Sequence, residues 1–310
     1  MLGTALVGWS GFEKTADATV SVGAWGFTAV CAWQLVLFAV LGLAWYVLLP
    51  PDRSWRVWVL VWGRMVRDAA GNCLPFSLVG GFVLGARAVT LHGVPWPAAA
   101  ASTVVGVTAE FLAQIGLCVI GVLILSTRSP SSSMILPVGL GLVAALIAGL
   151  ASVWLQRGAT SPLMRLSHRM LGNWISDAET QIVAIQTKLT AIYGNLWRVA
   201  LCTALHLLAW FGTGFASWIA FRLLGADIDF LGALGIEALL HAVLATAILV
   251  PGYAGVQEAA YVGVGALFGQ PPELSLGVSL LRRARDLTLG VPILLIWQSV
   301  ELHYRRAIQP

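Results

Sequence analysis

The chain is organised as long apolar runs separated by short polar segments. Four runs are long enough to cross the hydrocarbon core of a bilayer as helices, which takes about 20 apolar residues. They cover residues 27–49, 97–126, 134–154 and 197–224. A fifth run, 275–300, has the length but is interrupted by charged residues. This pattern predicts an all-α, polytopic integral membrane protein, because barrel strands alternate and do not form long unbroken apolar runs.

Two further apolar stretches are broken by proline and glycine. The stretch 56–92 carries Pro75 before a predicted glycine turn at 80–81, and the stretch 229–269 carries Pro251 before a second glycine-rich turn. Irregular backbone at membrane depth must be shielded by protein or line a wet cavity. Each half of the chain therefore contains a spanning helix, a broken, re-entrant hairpin and another spanning helix. With opposite orientations, the halves form the inverted repeat of many transporters.

Composition excludes several classes of protein. Of the 310 residues, 58% are hydrophobic and 10% are charged, whereas soluble domains carry about 25% charged residues. A water-soluble enzyme and a disordered chain are both excluded. The net charge of +4 is scattered among apolar runs, so no nucleic-acid surface is predicted. The four cysteines lie far apart in apolar stretches, which favours buried side chains over a metal site or disulfides.

Charge bias predicts the domains and their orientation. Residues 1–26 are interpreted as an interfacial N-terminal segment and not a signal peptide, because no basic region precedes an apolar core. Residues 27–300 form a single transmembrane domain. Its polar connector 157–196 is rich in Arg and includes a surface helix from about Asp177. Lys/Arg-rich loops face the cytoplasm, which places the connector and the tail 301–310 inside and the N-terminus outside.

Ionisable residues inside apolar segments are the functional candidates, because a charge at bilayer depth costs several kcal/mol. The alternative is that they pair with each other and hold helices together. The i,i+4 spacing predicts the ion pairs Arg64–Asp68 and Arg282–Asp286. Asp286 alone cannot neutralise the arginines that surround it, so other carboxylates or a ligand must lie near. The full set comprises Arg64, Arg67, Asp68, Arg87, Glu110, Glu237, Glu258, Arg282, Arg283, Arg285 and Asp286.

The second broken stretch leads to Glu258 through the turn Pro251-Gly-Tyr-Ala-Gly255. Glycine there permits positive φ or close approach to a ligand. Glu237 and His241 share a helix face, as do Cys202 and His206; an internal hydrogen bond is favoured over metal ligation. No catalytic residues, metal ligands or cofactor are predicted. The predicted substrate-binding or translocation residues are Arg87, Glu110, Glu237, Pro251, Gly255, Glu258, Arg282, Arg283, Arg285 and Asp286.

Two runs carry a family resemblance. The run VPGYAGVQEAAYVGVGALFGQPPELSLGVSLLRRARDL resembles the signature of the lysylphosphatidylglycerol-synthase transmembrane family, also called flippase-like proteins. The run LPFSLVGGFVLGARAVTLHGVPWPAAAASTVVGVTAEFLAQ is similar to its hopanoid-biosynthesis-associated subgroup, HpnL. The resemblance implies a multi-pass bacterial inner-membrane protein that moves or presents lipids, hopanoids above all. Many relatives carry Gly-Glu where this chain has Gly81-Phe82, so no acidic role is carried over there.

Three functions stay open at this point. The first is a lipid transporter, with a charged midplane cavity for a hopanoid or phospholipid headgroup and other transport or hopanoid-biosynthesis proteins as partners. The second is a membrane-embedded enzyme acting on a lipid, which needs an acid/base pair from Glu110, Glu237 or Glu258. The third is a secondary transporter of a small anionic solute. We expect the first function, and no enzymatic activity, with Glu258 as part of the lipid path.

Overall fold

The computed structural model describes residues 20, 22–50, 57–74, 77–128, 147, 176–246, 253 and 255–308. Within these residues the chain forms helices joined by short connections and no strand. The helices are α1 (Gly23–Leu48), α2 (Val57–Cys73), α3 (Ser77–Thr90), α4 (Trp96–Arg128), α5 (Ser176–Tyr193), α6 (Leu196–Leu223), α7 (Phe230–Thr246), α8 (Val256–Leu267) and α9 (Pro272–Ile308). The predicted all-α membrane fold is confirmed.

Three helices among the described residues are long and apolar enough to cross a membrane by length and composition: α1, α4 and α6. They correspond to the predicted runs 27–49, 97–126 and 197–224. The predicted helix 134–154 lies outside the described residues, apart from Ile147, as does most of the N-terminal segment. The fifth run forms α9, whose 37 residues rise about 55 Å at ~1.5 Å per residue. This helix continues into the predicted tail.

The helices of the two broken stretches are too short to span a membrane singly. The helices α2 and α7 have 17 residues each, α3 has 14 and α8 has 12. At ~1.5 Å per residue, the longest rises about 25 Å, less than the ~30 Å hydrocarbon core. Both stretches therefore fold as hairpins of two short helices. Each hairpin lies between long helices, α1 and α4 in the first half and α6 and α9 in the second.

Small residues let the first hairpin close tightly. A Cβ added at Gly81 would lie 2.7 Å from the Arg67 carbonyl oxygen, and one at Gly85 would lie 2.8 Å from the Arg67 Cβ. Membrane helices associate through such close approach, because lipid offers no hydrophobic drive between them. The predicted glycine turn at 80–81 is wrong, since Gly81 lies inside α3. Gly81 instead allows α3 to pack closely against α2. The break between the two helices lies earlier, because α2 ends at Cys73, two residues before Pro75.

Contacts at the two ends fix how the halves meet. Arg198, near the start of α6, donates to the Leu49 carbonyl oxygen just after α1, at 3.1 Å. At the other end, Arg128 of α4 and Asp229 before α7 form an ion pair of 2.5 Å. The predicted orientation places Arg128 outside, as a single contrary cation, and this carboxylate compensates it. The surface helix predicted from Asp177 is α5, whose Leu189 packs with the apolar cluster around Leu48.

Candidate functional site

Charged side chains gather where the two hairpins approach each other inside the bundle. The first-half cluster lies on α2 and α4, and the second-half cluster lies on α6, α7, α8 and α9. Arg64 is the eighth residue of α2, counted from Val57, and Glu237 is the eighth residue of α7, counted from Phe230. The first-half cluster consists of Arg64, Arg67, Asp68 and Glu110, and the second-half cluster of Ser217, Glu237, Tyr261 and Arg282.

In the first-half cluster, two arginines share two carboxylates. Both oxygens of Glu110 accept from Arg64, at 2.8 and 3.2 Å, and one also accepts from Arg67 at 2.5 Å. The Arg64 Nε donates to Asp68 at 3.0 Å, which confirms the predicted i,i+4 pair. The Arg67 guanidinium lies 4.2 Å from the centroid of the Phe82 ring. Each side chain of the cluster keeps partial access to water, between 8% and 20% of its surface.

In the second-half cluster, one carboxylate is wholly enclosed. The Glu237 side chain has 0% exposure, and its Oε1 accepts from Arg282. Its Oε2 accepts from the Ser217 hydroxyl at 2.5 Å and from the Tyr261 hydroxyl at 2.9 Å. Both oxygens are therefore bonded, as a buried carboxylate requires. The sequence does not single out Ser217 or Tyr261, because neutral hydroxyls carry no signal in an apolar run.

The predicted Arg282–Asp286 ion pair is wrong. Arg282 turns instead toward Glu237, where a fully buried anion needs a cation. Asp286 accepts from its neighbour Arg285, at 3.0 Å from Nε and 2.7 Å from Nη2. The expectation that further carboxylates approach the α9 arginines is confirmed, because Glu237 pairs with Arg282 and Glu258 pairs with Arg283.

A cavity of about 420 Å³ lies between the two clusters. Helices α1 to α4 and α6 to α9 all contribute to its wall. Its charged lining consists of four cations and three anions, with Glu237 directly behind Arg282, so the surrounding charges balance. Aromatic rings complete the wall. The charged lining residues are Arg64, Arg67, Arg282, Arg285, Asp68, Glu110 and Asp286, and the aromatic ones are Phe82, Phe111, Trp210 and Tyr253.

Tyr253 lies between the two helices of the second hairpin, with a φ of 52°. A bulky aromatic residue in this left-handed region is an outlier, and such strain concentrates at functional sites. The sequence predicts the turn that contains Tyr253 but no role for the tyrosine itself.

Two histidines line the cavity with the same local geometry. The Nδ1 of His206 lies 2.9 Å from the Cys202 carbonyl oxygen, and the Nδ1 of His241 lies 2.8 Å from the Glu237 carbonyl oxygen. Both predicted internal hydrogen bonds are confirmed. A carbonyl oxygen can only accept, so each Nδ1 carries a proton, and when the ring is neutral its Nε2 is an acceptor. Among the described residues, no three metal-ligand side chains form a group.

Glu258 has two partners away from the cavity wall. Its carboxylate contacts Arg283 at 2.7 Å and accepts from the Gly255 backbone N–H at 2.9 Å. Gly255 caps α8 with a φ of 80°, a conformation that glycine adopts at no steric cost. The Glu258 side chain thus satisfies one of the free donors at the start of α8. Pro251, which precedes this turn in the sequence, lies outside the described residues.

Arg87 belongs to a separate contact. It forms an ion pair of 3.0 Å with Glu301 of α9, which also binds Arg305 at 2.9 Å. This pair joins the last turns of α3 to the last turns of α9. Of the predicted set, the structure brings four residues to the cavity wall and places Glu237 behind it. The four are Glu110, Arg282, Arg285 and Asp286.

Comparison with known families gives one match. The model described as "Lysylphosphatidylglycerol synthase TM region" matches residues 1–294, which include both hairpins and both charged clusters. Comparisons with curated proteins and with solved structures found no match.

Proposed function

The chain belongs to the lysylphosphatidylglycerol synthase transmembrane-region family, a membrane family of lipid-related function, and from that premise we propose that it moves or delivers a membrane lipid. The polar headgroup of the lipid enters the central cavity while its apolar part stays in the bilayer. We place the protein in the bacterial inner membrane as a multi-pass protein, with the connector and C-terminus inside. We propose no enzymatic activity.

The observation that carries the proposal is the charged cavity between the two hairpins. Its volume of about 420 Å³ falls in the range of small-molecule sites, ~300–1,000 Å³, and accommodates a polar headgroup. Charged side chains inside a membrane protein are expensive, and here seven of them line one space. Trp210 lines the same cavity, and its buried indole N–H has no hydrogen-bond partner among the described residues.

Charge balance favours a neutral or zwitterionic headgroup over an anion. Each cavity arginine has a carboxylate partner: Glu110 for Arg64 and Arg67, Glu237 for Arg282, and Asp286 for Arg285. A transporter of small anions needs cations that are free to bind the anion. A lipid enzyme needs an acid and a base, and Glu110, Glu237 and Glu258 are each bound to an arginine.

The resemblance of residues 74–114 to the hopanoid-associated subgroup supports a hopanoid as the first cargo to test, with another polar lipid as the alternative. We also infer that the two halves are inverted repeats. Support comes from the repeated order of a long helix, two short helices and a long helix. In addition, an ion pair joins the first short helix of each half to its last long helix, with opposite polarity: Arg64–Glu110 in one half and Glu237–Arg282 in the other.

Lipid analysis of separated membranes from a deletion strain tests the cargo. We expect outer-membrane hopanoid to fall in the deletion strain and to recover with the wild-type gene. An Arg67→Gln variant, changed at the cavity wall, should accumulate in the membrane and fail to restore it. Arg128→Gln, changed outside the cavity, is the matched control and should restore it. An unchanged hopanoid distribution in the deletion strain would exclude hopanoid as the cargo.

Movement of lipid itself is tested in vesicles of phosphatidylethanolamine and phosphatidylglycerol that contain the purified protein. The probe is a zwitterionic phosphatidylethanolamine tracer with a fluorescent acyl chain, whose outer-leaflet fraction is bleached by dithionite. We expect wild-type protein to expose the inner-leaflet tracer and Arg67→Gln to leave it protected. Equal bleaching with and without wild-type protein would contradict the proposed movement of lipid.

A further inference from the structure

His241 occupies an unusual position in the cavity wall. Its residue exposure is 7%, and its Nε2 lies 3.4 Å from the Nη2 of Arg282. The Nδ1 of the same ring lies 3.5 Å from the Glu237 Oε1, the oxygen that also accepts from Arg282. One carboxylate oxygen is therefore within reach of two basic groups. A change in the charge of His241 must therefore alter the interaction between Glu237 and Arg282.

From this geometry we propose that His241 is a proton-binding site of the cavity, and that proton uptake there releases Arg282 from Glu237 and drives the movement of lipid. The coupling to lipid rests on the proposed function, whereas the proton site does not. A proton from cavity water adds to the Nε2 lone pair, which in the neutral ring accepts from Arg282. The imidazolium then has no acceptor to offer, and two cations face each other at hydrogen-bond distance.

Repulsion between the His241 imidazolium and the Arg282 guanidinium changes the partner of Glu237. The imidazolium takes over the interaction with Glu237, which lies next to it on the same face of α7. Arg282 then turns toward the cavity, where it can meet an acceptor on a lipid headgroup. Loss of the proton restores the arrangement of the structure. The neutral ring and the closed Arg282–Glu237 pair therefore describe one state of a two-state element.

Some groups around His241 favour its protonated form and others oppose it. Burial of the ring and Arg282 on α9 oppose the imidazolium, whereas Glu237 on α7 and Glu110 on α4 stabilise it. Tyr261 on α8 holds the second oxygen of Glu237 at 2.9 Å, so the carboxylate stays in place while Oε1 changes partner. The helix α6 contributes His206 to the same cavity and Trp210, whose ring centroid lies 4.3 Å from that of His241.

Trp210 provides a readout of the proton that does not depend on transport. An imidazolium in contact with an indole quenches its fluorescence, whereas a neutral imidazole does so weakly. The full-length protein in the vesicles described above is titrated from pH 8 to pH 5.5, and the signal of a Trp210→Phe variant is subtracted. We expect the Trp210 component to fall on acidification. In His241→Gln, whose amide can still accept from Arg282 but cannot titrate, this component should stay constant.

The same vesicles test the coupling. Wild-type protein is expected to expose the tracer several-fold faster at pH 5.5 than at pH 8, and His241→Gln should remain at the slow rate at both values. His303→Gln changes an exposed histidine near the end of α9 and should keep the wild-type response. If the Trp210 fluorescence does not change with pH, His241 is not a proton-binding site. If the fluorescence is quenched on acidification but the rate of tracer exposure does not change, proton uptake is not coupled to the movement of lipid.

A third result separates the two proposals. If the tracer moves in no variant, the movement of lipid is contradicted and the coupling falls with it. The Trp210 titration still decides whether His241 takes up a proton. As a check on the mechanism, Glu237→Gln, where it folds, should shift the quenching midpoint to lower pH, because the carboxylate that stabilises the imidazolium is removed.

Discussion

The two charged clusters use the same chemistry in opposite polarity, but they differ in access to water. In the first-half cluster, the arginines come from the short helix α2, the shared carboxylate comes from the long helix α4, and the side chains are 8–20% exposed. In the second-half cluster, the carboxylate comes from the short helix α7 and is fully enclosed, while the arginine comes from the long helix α9. One half is therefore open to the cavity and the other is closed around its anion.

This difference teaches how a membrane protein can keep charges that serve different purposes. A fully enclosed carboxylate must have every oxygen bonded, and Glu237 has Ser217, Tyr261 and Arg282 for that purpose. A partly hydrated cluster can change its partners at lower cost, because water replaces a lost contact. The first-half cluster suits contact with a ligand, and the second-half cluster suits a switch that opens only when its charge changes.

The largest effect is expected for Glu237→Gln, which removes the fully buried carboxylate and leaves Arg282 in the cavity wall without its counter-charge. Removing one partner of a buried pair costs about 3–5 kcal/mol. We expect a large fall in melting temperature in detergent, or failure to accumulate as a monodisperse protein. A melting temperature equal to that of the wild type would contradict the conclusion that the buried Glu237–Arg282 pair stabilises the fold.

Glu110→Gln is the counterpart in the first-half cluster and should destabilise less. Hydrogen bonds to charged groups contribute about 1.5–3 kcal/mol, and Asp68 still balances Arg64 while partial hydration compensates Arg67. We expect a folded protein with a moderately lower melting temperature that no longer exposes the lipid tracer. A loss of stability as large as that of Glu237→Gln would mean that partial hydration does not lower the cost of losing a partner in the first-half cluster.

Glu258→Gln probes an ion pair outside both clusters. Its pair with Arg283 is partly exposed, with side chains at 20% and 28%, and exposed pairs contribute about 0.2–1 kcal/mol. The amide oxygen can still accept from the Gly255 N–H. We therefore expect a stable protein, measured by thermal unfolding. The sequence predicts that Glu258 is part of the lipid path, and on that prediction the variant fails to restore hopanoid in the deletion strain. Normal restoration by a stable variant would remove Glu258 from the lipid path.

The smallest effect is expected at the exposed Arg128–Asp229 pair. The Arg128 guanidinium donates to Asp229 and holds the pKa of that carboxyl below its usual value. A depressed pKa in the folded state gives stability above the unfolded pKa of ~3.9, which is lost as pH falls through the folded value. Arg128→Gln should lower the melting temperature slightly at pH 7 and progressively less on acidification. A difference that grows at low pH would contradict this assignment.

Some interactions were predictable because they are local in the chain. The Arg64–Asp68 pair and the His241–Glu237 carbonyl bond each span one helical turn, so spacing alone identifies them. The same rule failed for Arg282 and Asp286. A one-turn pair on α9 competes there with a partner on another helix, and the enclosed Glu237 attracts Arg282 more strongly than the partly hydrated Asp286 does. Sequence spacing contains no information about that competitor.

The sequence by itself determined the class of protein, the long apolar helices, the broken hairpins and the identity of the intramembrane charges, because length, hydropathy and residue type are properties of single segments. Only the tertiary structure decided which charges meet. Glu110 contacts Arg64 and Arg67 from a separate helix, and Ser217, Glu237, Tyr261 and Arg282 come from four helices. Such partners depend on how helices pack and rotate against one another, and in lipid that is set by close contacts such as Gly81 against α2.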